Sequence, residues 1–280
     1  MNLSPSTTHI GDISITSVTD GTVSFAATTM FPTTTEADWV NHAQFVDNEG
    51  NLNLDVGSYV VRSGSRTVLI DAGVGDIQRG NINGGQLLGN LAAMGVTPAD
   101  IETVVFTHMH FDHMGWASTK VDATYQATFP NASYRAHQHE LDYHYSTVNP
   151  MHERFAAMAT GFESRIETFE DGEEIAPGVT MVLAAGHTPG SSLVVLASRG
   201  QRGILLGDTM HCPAQVQHPD WGPLFDVDPV AAQQIRETLV RETAGDTLVG
   251  AAHFPNLSFG RLVSSGTARI WSAVRPTPVL

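Results

Sequence analysis

The chain has 280 residues, a formal net charge of -15 and 15% charged residues, with apolar residues making up 41%. That is enough apolar side chain to bury a full core, and too much for wholesale disorder. No basic run appears, which excludes a nucleic-acid partner and an anionic membrane surface as expectations, because both rely on clustered Lys and Arg.

The single cysteine, Cys212, excludes a disulfide within the chain and fits a reducing compartment. The first residues lack a basic start followed by an apolar stretch, and the longest apolar runs are too short to cross a bilayer. The expected location is cytoplasmic, and the expected partner is a small molecule.

Ile13, Ile15 and Val18 alternate up to Asp20-Gly21, which predicts a strand and a turn. Residues 22–53 are then expected to form an N-terminal arm on a single domain that spans 1–280. Its aromatic residues Phe31, Trp39 and Phe45 have no evident place in a core, which leaves room for a homodimer.

Gly57–Arg62 and Thr67–Ile70 predict two strands joined by a Ser-Gly-Ser turn, the second ending at Asp71. Leu87, Leu88, Leu91 and Met94 recur at helical spacing before Gly95. Thr97-Pro98 reads as a cap and first helical position. Val104–Thr107 is a short buried strand. The stretch from Ala136 to Phe162 predicts helices that cap the site. Val179–Ala184, Leu193–Ala197, Ile204–Leu206 and Leu248–Ala251 predict strands, with a helix over Pro229–Glu242 whose Ile235 and Leu239 point inward. Strands in two blocks, each followed by helices, predict two packed sheets between helix layers.

The chemistry concentrates in His108-Met109-His110-Phe111-Asp112-His113, directly after a short strand. Three imidazoles and a carboxylate within six residues are costly to bury without a purpose. On an extended end His108 and His110 share a side, and the following turn can swing Asp112 and His113 toward a second point. The segment can therefore feed two metal ions. Nitrogen and oxygen donors without a thiolate suit Zn²⁺, with Mn²⁺, Co²⁺ or iron as alternatives.

This His-x-His-x-Asp-His run resembles the signature of the metallo-β-lactamase superfamily. The resemblance continues through Asp71 at an early strand end, Gly186-His187-Thr188-Pro189-Gly190, Gly207-Asp208 and Ala252-His253-Phe254. It implies an α/β fold: an αββα sandwich of two mixed β-sheets with helices on the outer faces. It also implies two divalent metal ions, Zn²⁺ foremost. His108, His110 and His187 would hold one; Asp112, His113 and His253 the other; Asp208 would bridge them. A hydroxide between the metals would be the nucleophile. Asp71 would orient a ligand histidine, against the plainer reading of a strand-end turn residue.

Leu206–His211 followed by Gln215 and Pro219, and Ala252–Pro255 followed by Phe259-Gly260, are similar to the branch containing methyl parathion hydrolase and acyl-homoserine lactonases. The implied reaction is hydrolysis of a lactone or ester. Phosphotriester hydrolysis and thiol or persulfide oxidation at a single iron are the alternatives. Asp112, Asp208 and His211 are the catalytic candidates; His211 either serves the substrate or makes a structural hydrogen bond. Phe111, Trp116, Trp221 and Phe254 are the candidates for an apolar substrate pocket. His9, His42, His137, His139, His144, His152 and His218 are expected to be surface or structural, and Cys212 a small buried residue.

Overall fold

The computed structural model describes residues 6–274. The chain opens with β1 (Ser6–Ile10), β2 (Ile13–Ala26), β3 (Asn51–Ser63), β4 (Arg66–Ile70), the short β5 (Gln78–Arg79) and β6 (Ile82–Asn83), and β7 (Thr103–Val105). A separate hairpin, β8 (Ser118–Val121) and β9 (Thr124–Ala127), follows. β10 (Ser133–His137) and β11 (Ile166–Phe169) then join the first sheet, whose order is β11-β10-β7-β4-β3-β2-β6-β5, with β1 paired to β2. The second sheet runs in order: β12 (Glu174–Ala176), β13 (Val179–Leu183), β14 (Ser192–Ser198), β15 (Gln201–Leu205), β16 (Leu248–Gly250), β17 (Gly260–Ser265) and β18 (Ala268–Ala273). Both sheets mix parallel and antiparallel pairs.

The strand period of two sorts side chains between layers. Tyr59, Val61, Val68, Ile70 and Val105 of the first sheet meet Val179, Met181, Val194, Leu196 and Leu205 of the second in one buried cluster. The intervening Val60, Leu69 and Val104 face the other way, into a cluster with Leu87 and Leu91 of α2 (Leu87–Ala93; the preceding α1 is Ala27–Met30). On the far face of the second sheet, Leu193, Ile204 and Val249 pack with Ile235 and Leu239. These two sit on α6 (Pro229–Glu242), which follows α3 (Phe111–Met114), α4 (Gln138–Tyr145) and α5 (His152–Ala159). The layers are helix, sheet, sheet, helix, as the pattern predicts.

Three expectations change. The segment at Ala136–Phe162 begins as strand β10 before it turns helical. Asp20-Gly21 is no turn: β2 runs through it on a register shift between Thr19 and Gly21. Gly21 adopts φ +150°, and a Cβ there would meet the Asn83 carbonyl oxygen at 1.8 Å, so the bulge requires glycine. The bulge turns Asp20 inward, where it is fully buried. Its carboxylate accepts hydrogen bonds from the backbone N–H of Val74, Gly75 and Leu87 and from the indole of Trp116.

The arm is the third change. Only residues 27–50 leave the sheet, because Ala26 pairs with Asn51 at the end of a long β2–β3 ladder. Ala27, Met30, Phe31 and Trp39 pack against Leu52, Leu54, Cys212, Ala214 and Trp221 of the same chain. Phe45 lies against the edge of this cluster. The aromatics thus find partners within their own subunit.

Asp20→Ala would strand three backbone donors and an indole N–H without water. It is expected to lower unfolding stability by at least about 3 kcal/mol, read by urea denaturation, because each unsatisfied buried group costs roughly 1–3 kcal/mol.

Candidate metal centre

β4, β7, β13, β15 and β16 point their carboxyl ends to one edge of the sandwich. β4 pairs parallel with β7, and β15 with β16. Their exits carry Asp71, His108, His187, Asp208 and His253. Two loops approach closely there: Gly207 has φ +52°, and a Cβ would lie 2.8 Å from Thr107 Oγ1. Only glycine lets the Asp208 loop sit against the His108 loop.

The six-residue run splits as its spacing predicts. His108 and His110 precede α3, and Asp112 and His113 lie within it. His108 Nε2 and His187 Nε2 lie 3.1 and 3.0 Å from His110 Nδ1, and 3.6 and 3.5 Å from Asp208 Oδ2. On the other side His113 Nε2 and His253 Nε2 lie 3.1 and 3.2 Å from Asp208 Oδ1, and His253 Nε2 is 3.6 Å from Asp112 Oδ2. One carboxylate therefore turns one oxygen to each cluster. All seven expected ligands are brought together.

The donor set fits two divalent ions. Zn–N bonds of about 2.0–2.1 Å place neighbouring tetrahedral donors roughly 3.3 Å apart, close to the separations above. His113 Nε2 and Asp208 Oδ1 are buried and neither makes a hydrogen bond. Unpartnered polar atoms at zero depth of water are rare unless something else satisfies them.

The outward nitrogens fix which nitrogen faces in. His187 Nδ1 donates to Asp226 Oδ1 at 3.0 Å, His113 Nδ1 to Asp71 Oδ2 at 2.9 Å, and His253 Nδ1 to the Asp55 carbonyl at 2.7 Å. With a metal bound, each Nε2 would turn its lone pair toward the centre. Asp71 reaches His113 from a left-handed backbone, φ +58°, which aspartate tolerates better than most residues. The same carboxylate accepts from Thr107 N and Oγ1.

Burial, and then the positive charge of neighbouring imidazoles, hold His108 and His110 well below the ordinary histidine range. They are neutral donors. At His113 and His253 burial opposes the charged form, but Asp208 outweighs it and raises both. Burial likewise opposes ionisation of Asp208, yet His113 and His253 keep its carboxyl well below the usual carboxylate range.

His211 Nε2 lies 3.0 Å from Asp208 Oδ2, and its ring stacks on His253. It is also on the wall of a cavity of about 380 Å³ that opens beside both clusters. Phe111 is on that wall. Trp116, Trp221 and Phe254 are not, which corrects the expected pocket. Trp116 packs in the core with its indole on Asp20, Trp221 stacks with His218 under the arm, and Phe254 meets Trp271. The apolar wall is instead built by Phe25 and Met30 at the arm, by Met151 and Phe155 of the α4–α5 region, and by Phe225 and Val227. Phe25, Met151, Phe155, Phe225 and Val227 carry no motif that would mark them in the sequence.

Glu140 was also hidden. It is buried on α4 and accepts from Met109 N, Thr188 Oγ1, Gly190 N and His144 Nε2, so it joins two ligand loops to the cap. His137 and His139 contact each other away from the centre, and burial pushes the Cys212 thiol up to about 12.

Residues 54–252 match the metallo-beta-lactamase superfamily. The chain belongs to that superfamily. It is 24% identical over 172 residues to an N-acyl homoserine lactonase of Bacillus sp, covering 55% of this chain and 63% of that protein. It is 26% identical over 174 residues to the N-acyl homoserine lactonase AiiA of Bacillus thuringiensis subsp. kurstaki, with the same coverage. The matched part is thus less than two thirds of these relatives' length. Among solved structures, AidC, a dizinc quorum-quenching lactonase, superposes with a TM-score of 0.88 at 19% identity, covering 99% of this chain and 100% of that one. The hydrolase AbOPH superposes with 0.86 at 21% identity, covering 99% and 100%. Identities this low carry the fold.

A donor set of this kind fits the superfamily that residues 54–252 match. Asp208→Ala is expected to lower the divalent metal bound per chain by elemental analysis, whereas His137→Ala should leave the content unaltered. Loss of metal in the second variant would mean that the ligand set is drawn wrongly.

Proposed function

We propose that this chain is a dinuclear lactonase or esterase that cleaves the C–O bond of a substrate with an apolar tail. The observation that carries the proposal is Asp208, whose two oxygens face two separate histidine clusters. Two clusters with a shared carboxylate favour a pair of ions over the single iron of a thiol or persulfide oxygenase. The dizinc lactonase AidC and the N-acyl homoserine lactonases support the substrate class. So does the cavity, whose wall is mostly Met, Phe, Val and Leu side chains.

Two divalent ions in this place would activate a water and polarise an ester carbonyl. The chain's own residues prepare the reaction. His108, His110 and His187 each aim a ring nitrogen inward. Asp112, half-buried, stands between the second cluster and the cavity, where it can take a proton from the attacking water. His211 faces the same cavity against Asp208, within reach of a leaving oxygen. The apolar wall excludes water from the tail and fixes the acyl group beside the metals.

The test is turnover of a lactone series of increasing acyl length by zinc-loaded protein. Hydrolysis should improve with chain length, disappear with chelator and return with Zn²⁺. Absence of turnover on lactones and aryl esters by a two-zinc protein would sink the proposal. Chelation should also lower the melting temperature; ligand at 100 times its dissociation constant contributes about 2.7 kcal/mol of stability.

A further inference from the structure

Arg236 is among the largest side chains buried in the molecule, at 1% exposure on α6. Its Nη1 donates to Asp226 Oδ2 at 2.9 Å, and its Nε to the Pro219 carbonyl at 2.7 Å. The other oxygen of Asp226 accepts from His187 Nδ1. The backbone repeats the connection: Val227 N donates to His187 O, Asp228 N donates to Gly186 O, and Asp228 caps α6.

A buried carboxylate can keep an imidazole in one tautomer only while it stays ionised and still. A lone aspartate in this position would be costly to charge and free to rotate. The guanidinium supplies the opposite charge and a second anchor, in a fork whose geometry Lys does not reproduce. His113 and His253 are oriented differently, by Asp71 and by the Asp55 carbonyl, and neither of these contacts Arg236.

We propose that Arg236 is a positioning residue that acts through Asp226 to strengthen metal binding at the His108–His110–His187 cluster, and not at the Asp112–His113–His253 cluster. The inference rests on the two-metal reading of the centre. Partners at this remove from a metal change its affinity by about 10–100-fold when lost.

The experiment is competitive zinc titration against a chromophoric chelator with the full chain. The parent protein should bind two zinc ions; if it does not, the two-metal reading fails before Arg236 is at issue. In Arg236→Met one class of zinc should weaken by about 10–100-fold while the other keeps its affinity. The Asp112→Ala background identifies the class, because it spares the His187 cluster: the loss caused by Arg236→Met should persist there. Equal weakening of both ions, or of neither, overturns the proposal. If Arg236→Met does not give a cooperative melt, Arg236→Lys carries the test. It restores the charge and should weaken the same single class by a smaller factor; affinities that match the parent at both clusters overturn the proposal equally.

Discussion

A single carboxylate, Asp208, is the constraint on which the rest of this edge depends. It is buried, and the facing nitrogens of five imidazoles come within about hydrogen-bonding range or slightly beyond of its two oxygens. Neutral rings that turn lone pairs toward a carboxylate repel it, and its one negative charge cannot balance five imidazolium rings that repel one another. Such crowding becomes reasonable only when cations sit between the lone pairs. Strand direction, the close approach at Gly207 and the parallel pairings at β4–β7 and β15–β16 all serve to deliver those side chains to one place.

The protein holds this arrangement from outside. Each inward Nε2 at His113, His187 and His253 is set by an outward Nδ1 on a different acceptor: a strand-end aspartate, a loop aspartate and a main-chain carbonyl. The acceptors are held in turn. Asp71 takes two bonds from Thr107, and Asp226 one from Arg236. Glu140 performs the corresponding duty for backbone, joining Met109 to Thr188 and Gly190. Rigidity at the metals is therefore distributed over acidic residues that never reach them.

The cluster of candidate ligands was legible because its chemistry is local: three histidines and an aspartate in six residues, then Gly-His-Thr-Pro-Gly and Gly-Asp at strand ends. The layers were legible through period-two alternation. Asp20, Glu140 and Asp226 were not, since nothing near them in sequence announces partners tens of residues away. Asp20 in particular reads as a turn residue beside Gly21, and only the bulge sends it inward. The aromatic pocket candidates Trp116, Trp221 and Phe254 failed for the same reason. Proximity to a ligand along the chain does not say which way a large ring will face, and each found a better hydrophobic cluster. Phe111 alone of the four lies on the cavity wall.

The arm leaves the first sheet at Ala26 and returns at Asn51, two residues that are themselves paired. It is therefore an excursion from a closed hairpin, and lengthening such a loop costs little once its ends are fixed. It carries part of the cavity wall and none of the ligands. A lineage could thus rebuild the arm, and with it the shape of this wall, while the histidine and aspartate cluster stayed untouched. The 219–227 segment has no such freedom: Phe225 and Val227 flank the residue that steadies His187, so new specificity drawn from that side would disturb the metals. One wall of the cavity is thus free to change shape, and the other is tied to the centre.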